Sequence, residues 1–541
     1  MYLHPNRYLP AALLLVAVLV LGACFPRSKP APETVDTATL LFVADLHAQL
    51  DPHPELFWRD GEEDRLEVAG GFARVAAVAD AIREERDGDV LFLDGGDTIQ
   101  GGGAAALSDG AVVVPVLNAL GFDVAVPGNW EVAYGPDVMR KRLGDLNYPI
   151  VAANLREAAT GQRLYPPYLI REVGGVRIGI IGYTDPDVPE RQPPAYSEGL
   201  AYDGPEELPS LVDEVRNEQG ADVVVLLSHI GLAKAVALTE DVEGIDIHLS
   251  SDTHERTYEP IERNGTWIVE PGAFGSFMGR LDLQVRDGEI VDRSWELLEL
   301  TASRYPEDAE VRALIDEATR PLREELSTVV GHASSKLARH NVIETTLDHL
   351  LADALRDVTG TEIALSNGFR FGNPVPPGPI TEADLWNFYP VVTNLKTGRV
   401  TGAQLLAFWE RELENVFAED ASRRFGGWIP RPSGMQVTFR AGAPAGERVQ
   451  EILIHGEPLD KERLYTLTAC EREGEHPDTL CRIPDALDAK VVEVDAHEAV
   501  RRYLGQHSEV SRNHEERIVA TDLPGVLRSQ YFYQPGAEDE R

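Results

Sequence analysis

Five short apolar runs in the first half of this chain each end in side chains able to bind a metal ion, and that repetition narrows the folds open to it. Leu41-Phe42-Val43-Ala44 leads into Asp45-Leu46-His47, and Leu91-Phe92-Leu93 into Asp94-Gly95-Gly96-Asp97. Val124-Ala125-Val126 leads into Pro127-Gly128-Asn129-Trp130-Glu131, and Val225-Leu226-Leu227 into Ser228-His229. Ile247-His248-Leu249 leads into Ser250-Ser251-Asp252-Thr253-His254. Such runs, joined by amphipathic stretches at 72–86 and 206–219, read as buried strands of an α/β domain. Runs at 150–152 and 178–181 read as further strands, and Asp287-Gly288 as the turn of a closing hairpin within 272–300.

In an open α/β sheet, side chains beyond the carboxyl ends of the strands converge on one crevice. That convergence gathers Asp45, His47, Asp97, Asn129, His229, Asp252 and His254. Carboxylates, imidazoles and an amide oxygen form a mixed set suited to Mn, Zn, Fe or Mg. Seven ligands exceed the needs of one ion, so two divalent ions about 3.5–4 Å apart, bridged by a carboxylate, are expected. A lone Asp-X-His is ordinary loop chemistry, and His248 inside its apolar run reads as a core residue. The ordered set carries the inference.

At 541 residues the chain is too long for one core. His4 and Arg7 precede an apolar run at 11–21, which ends in Leu21-Gly22-Ala23-Cys24. This reads as a signal peptide over 1–23 and resembles a bacterial lipoprotein lipobox, with Cys24 as the lipidated residue of an exported protein. An uncleaved signal anchor is the alternative. Residues 24–38, with Pro26, Pro30 and Pro32, read as a tether. Export would permit a disulfide between the remaining cysteines, Cys470 and Cys481. Ninety acidic against 50 basic residues leave a formal charge of −40, which disfavours nucleic-acid polymers as partners and leaves a lipid on Cys24 as the expected membrane contact.

The ordered motifs Asp45-X-His47, Gly96-Asp97, Gly128-Asn129-X-Glu131, His229 and Asp252-Thr253-His254 resemble the calcineurin-like metallophosphatase signature. The second half resembles the C-terminal domain of bacterial 5′-nucleotidases. Ser366-Asn367-Gly368-Phe369-Arg370 falls at that family's substrate loop, and Thr401-Gly402-Ala403-Gln404-Leu405 at a helix start. The resemblance implies an α/β fold, with an N-terminal metallophosphatase-type β-sandwich flanked by helices and a smaller α/β C-terminal domain. Its expected limits are 39–302 for the metal domain, 303–328 for a connecting helix, 329–522 for the substrate domain and 523–541 for a tail. One ion would take Asp45, His47 and His254, and the other Asn129, His229 and Asp252, with Asp97 bridging. A metal-bound hydroxide would attack the substrate, and Asn367, Arg370 and Phe371 would bind it.

The chain departs from that family in three ways. Trp130 and Ala133 stand where a His-Asp pair protonates the leaving oxygen, and indole cannot supply that proton. Asp252 replaces a histidine ligand, which favours harder ions such as Mn. The late aromatic of the nucleotide clamp is missing, which leaves Phe371 or Trp428 to stack. Trp130-Glu131 with Tyr134-Gly135, and Phe369-Arg370-Phe371-Gly372, resemble the SoxB thiosulfohydrolases, although Asn129 stands where that family usually has His. The leading expectation is a SoxB-like hydrolase that uses manganese to release sulfate from a thiosulfonate on a carrier protein. The alternatives are a 5′-nucleotidase or other phosphoesterase acting on extracellular nucleotides, with a small anionic ester as its partner, and a non-catalytic metal- or ligand-binding module.

Overall fold

The computed structural model describes residues 35–59, 64–368, 370–425, 427–507, 509–511, 515–529 and 531. Cys24, the leader before it and Phe369 lie outside the described residues. The N-terminal half supplies β1 (Asp36–Val43), β2 (Val90–Asp94), β3 (Val124–Ala125), β4 (Tyr168–Val173), β5 (Val176–Thr184) and β6 (Val223–His229). It continues with β7 (Ile247–Ser251), β8 (Ile261–Arg263), β9 (Thr266–Val269), β10 (Phe277–Arg286) and β11 (Glu289–Glu299). They form two sheets, ordered β11-β10-β1-β2-β3 and β8-β9-β7-β6-β5-β4. β1 runs parallel to β2, and β5, β6 and β7 run parallel to one another, so their carboxyl ends share a direction within each sheet.

Side-chain alternation makes the sandwich. Leu40, Phe42, Leu91 and Leu93 share one core with Val223, Val225, Leu227, Ile247 and Leu249 of the other sheet. Their neighbours Leu41, Val43 and Phe92 point away, against Phe72, Val75 and Ala79 of α1 (Phe72–Glu85). β10 and β11 are an antiparallel hairpin turned at Asp287 and Gly288, both in left-handed backbone. Two expected elements differ. Residues 150–152 form no strand, and Ile150 makes an isolated bridge to Ala125. The stretch 206–219 is helical as expected but in three short pieces, Pro205–Glu207, Leu208–Asp213 and Glu214–Glu218, with Pro209 in the first turn of the second.

After α2 (Ala309–Thr319) the chain builds a second α/β unit on a five-stranded sheet. Its strands run in the order Trp428–Ser433, Ile363–Gly368, Leu464–Cys470, Asn394–Thr401 and Leu487–Asp495. Against it lie α3 (Thr346–Thr359) and α4 (Gly402–Phe417). Thr401 and Gln404 cap α4 reciprocally, with Gln404 N donating to Thr401 Oγ1 at 3.2 Å and Thr401 N to Gln404 Oε1 at 2.8 Å.

Asp348 on α3 is fully buried between two arginines, accepting from Arg339 Nε at 2.8 Å and from Arg431 Nε at 3.0 Å. Arg339 also donates to the carbonyl of Phe371 at 3.2 Å, which ties the helix to the substrate loop. Replacing Asp348 with Ala strands two buried guanidinium groups, a loss of about 3–5 kcal/mol. Chemical denaturation should therefore show the C-terminal unit of Asp348→Ala unfolding first; a transition matching wild type would contradict this.

Candidate metal centre

The structure brings the seven sequence-predicted donors to the carboxyl ends of β1, β2, β3, β6 and β7. Two groups form around Asp45: one with His47 and His254, the other with Asp97 and His229. Within each group one donor atom per residue lies within 4.8 Å of the others. His47 Nε2 is 3.3 Å from His254 Nε2, and Asp45 Oδ1 is 3.4 Å from His254 Nε2 and 3.8 Å from His229 Nε2. Asp97 Oδ2 lies between the groups, 3.2 Å from His229 Nε2 and 3.7 Å from His47 Nε2.

The chemistry of these atoms fits a pair of cations. His47 Nδ1 faces the carbonyl of Gln100 at 3.2 Å and His229 Nδ1 that of Gly95 at 2.7 Å. Donation there leaves each Nε2 lone pair aimed at the cluster. Asp45 Oδ1 is buried without a hydrogen-bond partner. Asn129 Oδ1 also faces inward, 3.1 Å from His229 Nε2, among atoms that accept rather than donate. Turned over, its NH2 would donate to Asp97 Oδ2 at 3.0 Å and Asp252 Oδ1 at 3.2 Å. A cation inside calls for the oxygen.

Burial lowers His47 to about 4, despite the nearby Asp97 carboxylate. His229 is also disfavoured as a cation by burial, yet Asp97, Asp45 and Asp252 push it well above its ordinary value. An ion entering its group therefore displaces a proton. Five of the donor residues, Asp45, His47, Asp97, Asp252 and His254, sit in left-handed backbone, a conformation uncommon for residues other than glycine.

Glu131 supports the geometry from beneath, accepting from the backbone N–H of Asp97 (3.0 Å), Thr98 (2.7 Å) and Gly128 (2.6 Å). A Cβ on Gly128 would lie 2.2 Å from Asp97 Oδ1, so only glycine lets the two loops touch.

Asp252 is placed differently from a simple ligand. Arg191 grips both its oxygens, Nη2 to Oδ1 at 2.8 Å and Nη1 to Oδ2 at 3.0 Å, and Asp252 Oδ1 is 3.9 Å from His229 Nε2. Burial would raise its carboxyl, but Arg191 and then Arg370 hold it well below the usual range. Sequence reading missed Arg191. It stopped at the strand 178–181 without following β5 to its end, where Asp185 and Arg191 come next.

The donors open onto a crevice lined also by Trp130, Gln192, Asn367, Arg370, Phe371, Phe425, Trp428, Arg472 and Arg482. Arg370 bonds the carbonyl of Asp252, while its Nε and Nη1 are buried and unpartnered. Phe371 is 5% exposed and meets His47 edge-on at 4.7 Å and Phe274 at 5.5 Å. Its ring thus braces a ligand imidazole instead of lying free for stacking. Among the described residues lining the crevice, the histidines are His47 and His254, and Ala133 offers no carboxylate beside Trp130. Cys470 and Cys481 are free thiols in this crevice, not a disulfide. The sheet register pairs Cys470 with Leu395, whereas Cys481 lies in a turn closed between Leu480 and Ile483. Burial pushes their thiols up to about 11 and about 12.

This two-domain α/β architecture with donors at the strand ends defines a class of metal-dependent phosphoesterases. The calcineurin-like phosphoesterase model matches residues 38–256, and the 5′-nucleotidase C-terminal domain model residues 329–470. The chain thus carries a calcineurin-like phosphoesterase domain followed by a 5′-nucleotidase C-terminal domain. It is 24% identical to protein UshA of Yersinia enterocolitica, over 87% of this chain and 91% of that one. The sulfate thiohydrolase SoxB of Thermus thermophilus superposes with a TM-score of 0.82 at 26% identity, covering 93% of this chain and 99% of that one. A 5′-nucleotidase precursor, also from Thermus thermophilus, shares the fold, with a TM-score of 0.78 at 24% identity, covering 90% and 100%. No helix among the described residues is long and apolar enough to cross a membrane.

Glu131→Ala leaves three buried N–H groups without an acceptor, at roughly 1–3 kcal/mol each. The variant should melt several degrees lower and take up less Mn²⁺; a melting point and metal content equal to wild type would contradict the bracing role. Glu270 accepts from Ser250 Oγ (2.9 Å), Thr253 Oγ1 (2.8 Å) and Glu255 N (2.9 Å), and burial followed by Asp45 pushes it from 4.5 up to about 8. An acid raised in the folded state ionises first in the unfolded chain, so its contribution is full below about pH 4.5 and falls toward pH 8. In metal-free protein, the stability of wild type relative to Glu270→Gln should decline across that window; a flat difference would reject the shift.

Proposed function

We propose that this protein is an exported, two-metal hydrolase of nucleotide-type phosphoesters whose scissile bond releases an acidic leaving group, such as a phosphoanhydride. The observation that carries the reading is Trp130 beside Ala133 at a crevice that otherwise holds the donors for two ions. Asp45, His47, Asp97, Asn129, His229, Asp252 and His254 would hold divalent cations, most simply Mn, which when bound would supply Lewis-acid stabilisation of charge on substrate oxygens. The chain's own groups do the rest. Arg370 offers its spare N–H groups to the anionic head, Asn367 lines the same opening, and Phe425 and Trp428 provide aromatic walls suited to a base.

An alkoxide leaving group needs a proton, and general acid help is typically worth 10²–10⁴-fold. A phosphate leaves at neutral pH without it. The nucleotide reading also agrees with what related proteins are called, and the −40 charge requires the cations and Arg370 to create a local positive focus. Attachment through a lipid on Cys24 would hold the enzyme at the outer face of a membrane. A second reading, sulfate release from a carrier-borne thiosulfonate, is favoured by the Trp130-Glu131 and Tyr134-Gly135 pattern and the SoxB superposition. Sulfur likewise leaves without protonation.

The Mn²⁺-loaded protein starting after Cys24 should cleave ADP, a nucleotide sugar and bis-nitrophenyl phosphate at least about 100-fold faster than AMP. Trp130→His with Ala133→Asp should raise AMP turnover by about 10–100-fold. Equal rates on AMP and ADP in the unmodified protein would sink the leaving-group reading. Inactivity on every phosphoester, with sulfate released from a peptide thiosulfonate, would favour the second reading.

A further inference from the structure

Arg191 sits on the short helix Val188–Arg191, immediately beyond the loop after β5. Its guanidinium spans both oxygens of Asp252 at 2.8 and 3.0 Å and also bonds Asp185. The Arg191 side chain is 10% exposed and that of Asp252 2%. From the other side Arg370 lies 3.5 Å from Asp252 Oδ1. That same oxygen lies 3.9 Å from His229 Nε2 of the donor group, with the Asn129 amide within 3.2 Å. One carboxylate oxygen thus meets a guanidinium on one side and a cation position on the other. The group of Asp45, His47 and His254 shares no hydrogen bond or ion pair with an arginine among the described residues.

Arg191 is also held in place. Arg472 donates to the carbonyls of Glu190, Arg191 and Gln192 at 3.3, 3.2 and 3.0 Å. Lys234 engages Asp185 at 3.2 Å and Asp187 at 2.6 Å. These contacts fix the backbone that carries Arg191 and the Asp185 it bonds, and the guanidinium can swing away only by breaking its own bonds to Asp185 and Asp252.

We propose that Arg191 is a built-in competitor of the second ion, sharing Asp252 with the cation held by Asp97, His229 and Asn129 and thereby setting its affinity below that of the first. The inference rests on the two-ion reading above. Like charges a few ångströms apart on one buried carboxylate repel strongly, because water is not there to screen them. Asp252 then serves two positive groups, each weakening its hold on the other. Arg191 is a positioning residue in this scheme, since it acts through Asp252.

The test is a titration of the metal-free protein with Mn²⁺, read by equilibrium dialysis with elemental analysis and by the spin-coupled pair signal in electron paramagnetic resonance. Wild type should bind two ions with dissociation constants at least about tenfold apart. Arg191→Gln should tighten the weaker site about tenfold or more, so that the pair signal appears at lower Mn²⁺, with the tighter site unchanged. Arg191→Lys, which keeps the charge but not the fork, should leave the second site weak. Asp252→Asn should weaken the second site further. A second site unchanged or weakened by Arg191→Gln would overturn the proposal, as would an indifferent Asp252→Asn. Two ions of equal affinity in wild type would sink this inference alone, whereas at most one ion in all four proteins would sink the two-ion reading itself.

Discussion

Acceptor atoms meeting acceptor atoms is the constraint around which this molecule is built. Asp45, Asp97 and Asp252 are buried together, and with the imidazole nitrogens and the Asn129 oxygen they face a common centre. Charges of one sign packed this way would push the loops apart unless each were held by something else. The backbone supplies much of that hold. Trp130 N donates to Asp97 Oδ1 at 2.7 Å, Asp252 N to Asp45 Oδ2 at 3.1 Å, and the loops themselves hang on Glu131. Left-handed backbone at five donors is the conformational cost of aiming so many side chains at one point.

The second domain takes part in the same arrangement. Gln100 holds His47 with its carbonyl and donates from its side chain to Pro390 O at 3.1 Å, so ring orientation and domain contact pass through one residue. Gln49 joins Asn387 at 3.0 Å and Asn373 at 2.9 Å. Phe371 arrives from the C-terminal domain to pack on His47, and the buried Arg339 fixes its carbonyl. The crevice is therefore assembled by contacts between domains, and the His47 imidazole is oriented from both sides.

Much of this was legible in the sequence because strand periodicity and strand ends are local signals. Apolar runs such as 91–93 and 225–227 mark strands, and the polar residues just beyond each run land at the crevice. Asp45, His47, Asp97, Asn129, His229, Asp252 and His254 could be gathered on that basis alone. Residues whose role depends on tertiary approach could not. Arg191 lies in a Pro-containing stretch with no periodicity, and nothing local says its guanidinium will meet Asp252 sixty-one positions later. The same holds for Phe371, whose use as a brace depends on where the other domain sits. The free thiols of Cys470 and Cys481 belong here too, since sequence separation says nothing of the strand and turn that hold them.

The unusual residues make more sense together than singly. A carboxylate at 252 adds negative charge where the family places a neutral imidazole, and Arg191 with Arg370 offsets it. At 130 an indole fills the place of an imidazole that would have carried a proton to the leaving group. In the proposed reaction the two changes would act on different parts, the first on how tightly cations are held, the second on which bonds can break. Simple decay of a metal site would leave buried carboxylates without counter-ions, at a cost of several kcal/mol for each uncompensated charge. Here the added charge at Asp252 is met by a two-point guanidinium contact, and the acceptors Asp45 and Asn129 still face the centre. Compensation of that kind argues against decay and supports the proposed reading, in which a cation site is kept and a substrate with an acidic leaving group needs no general acid.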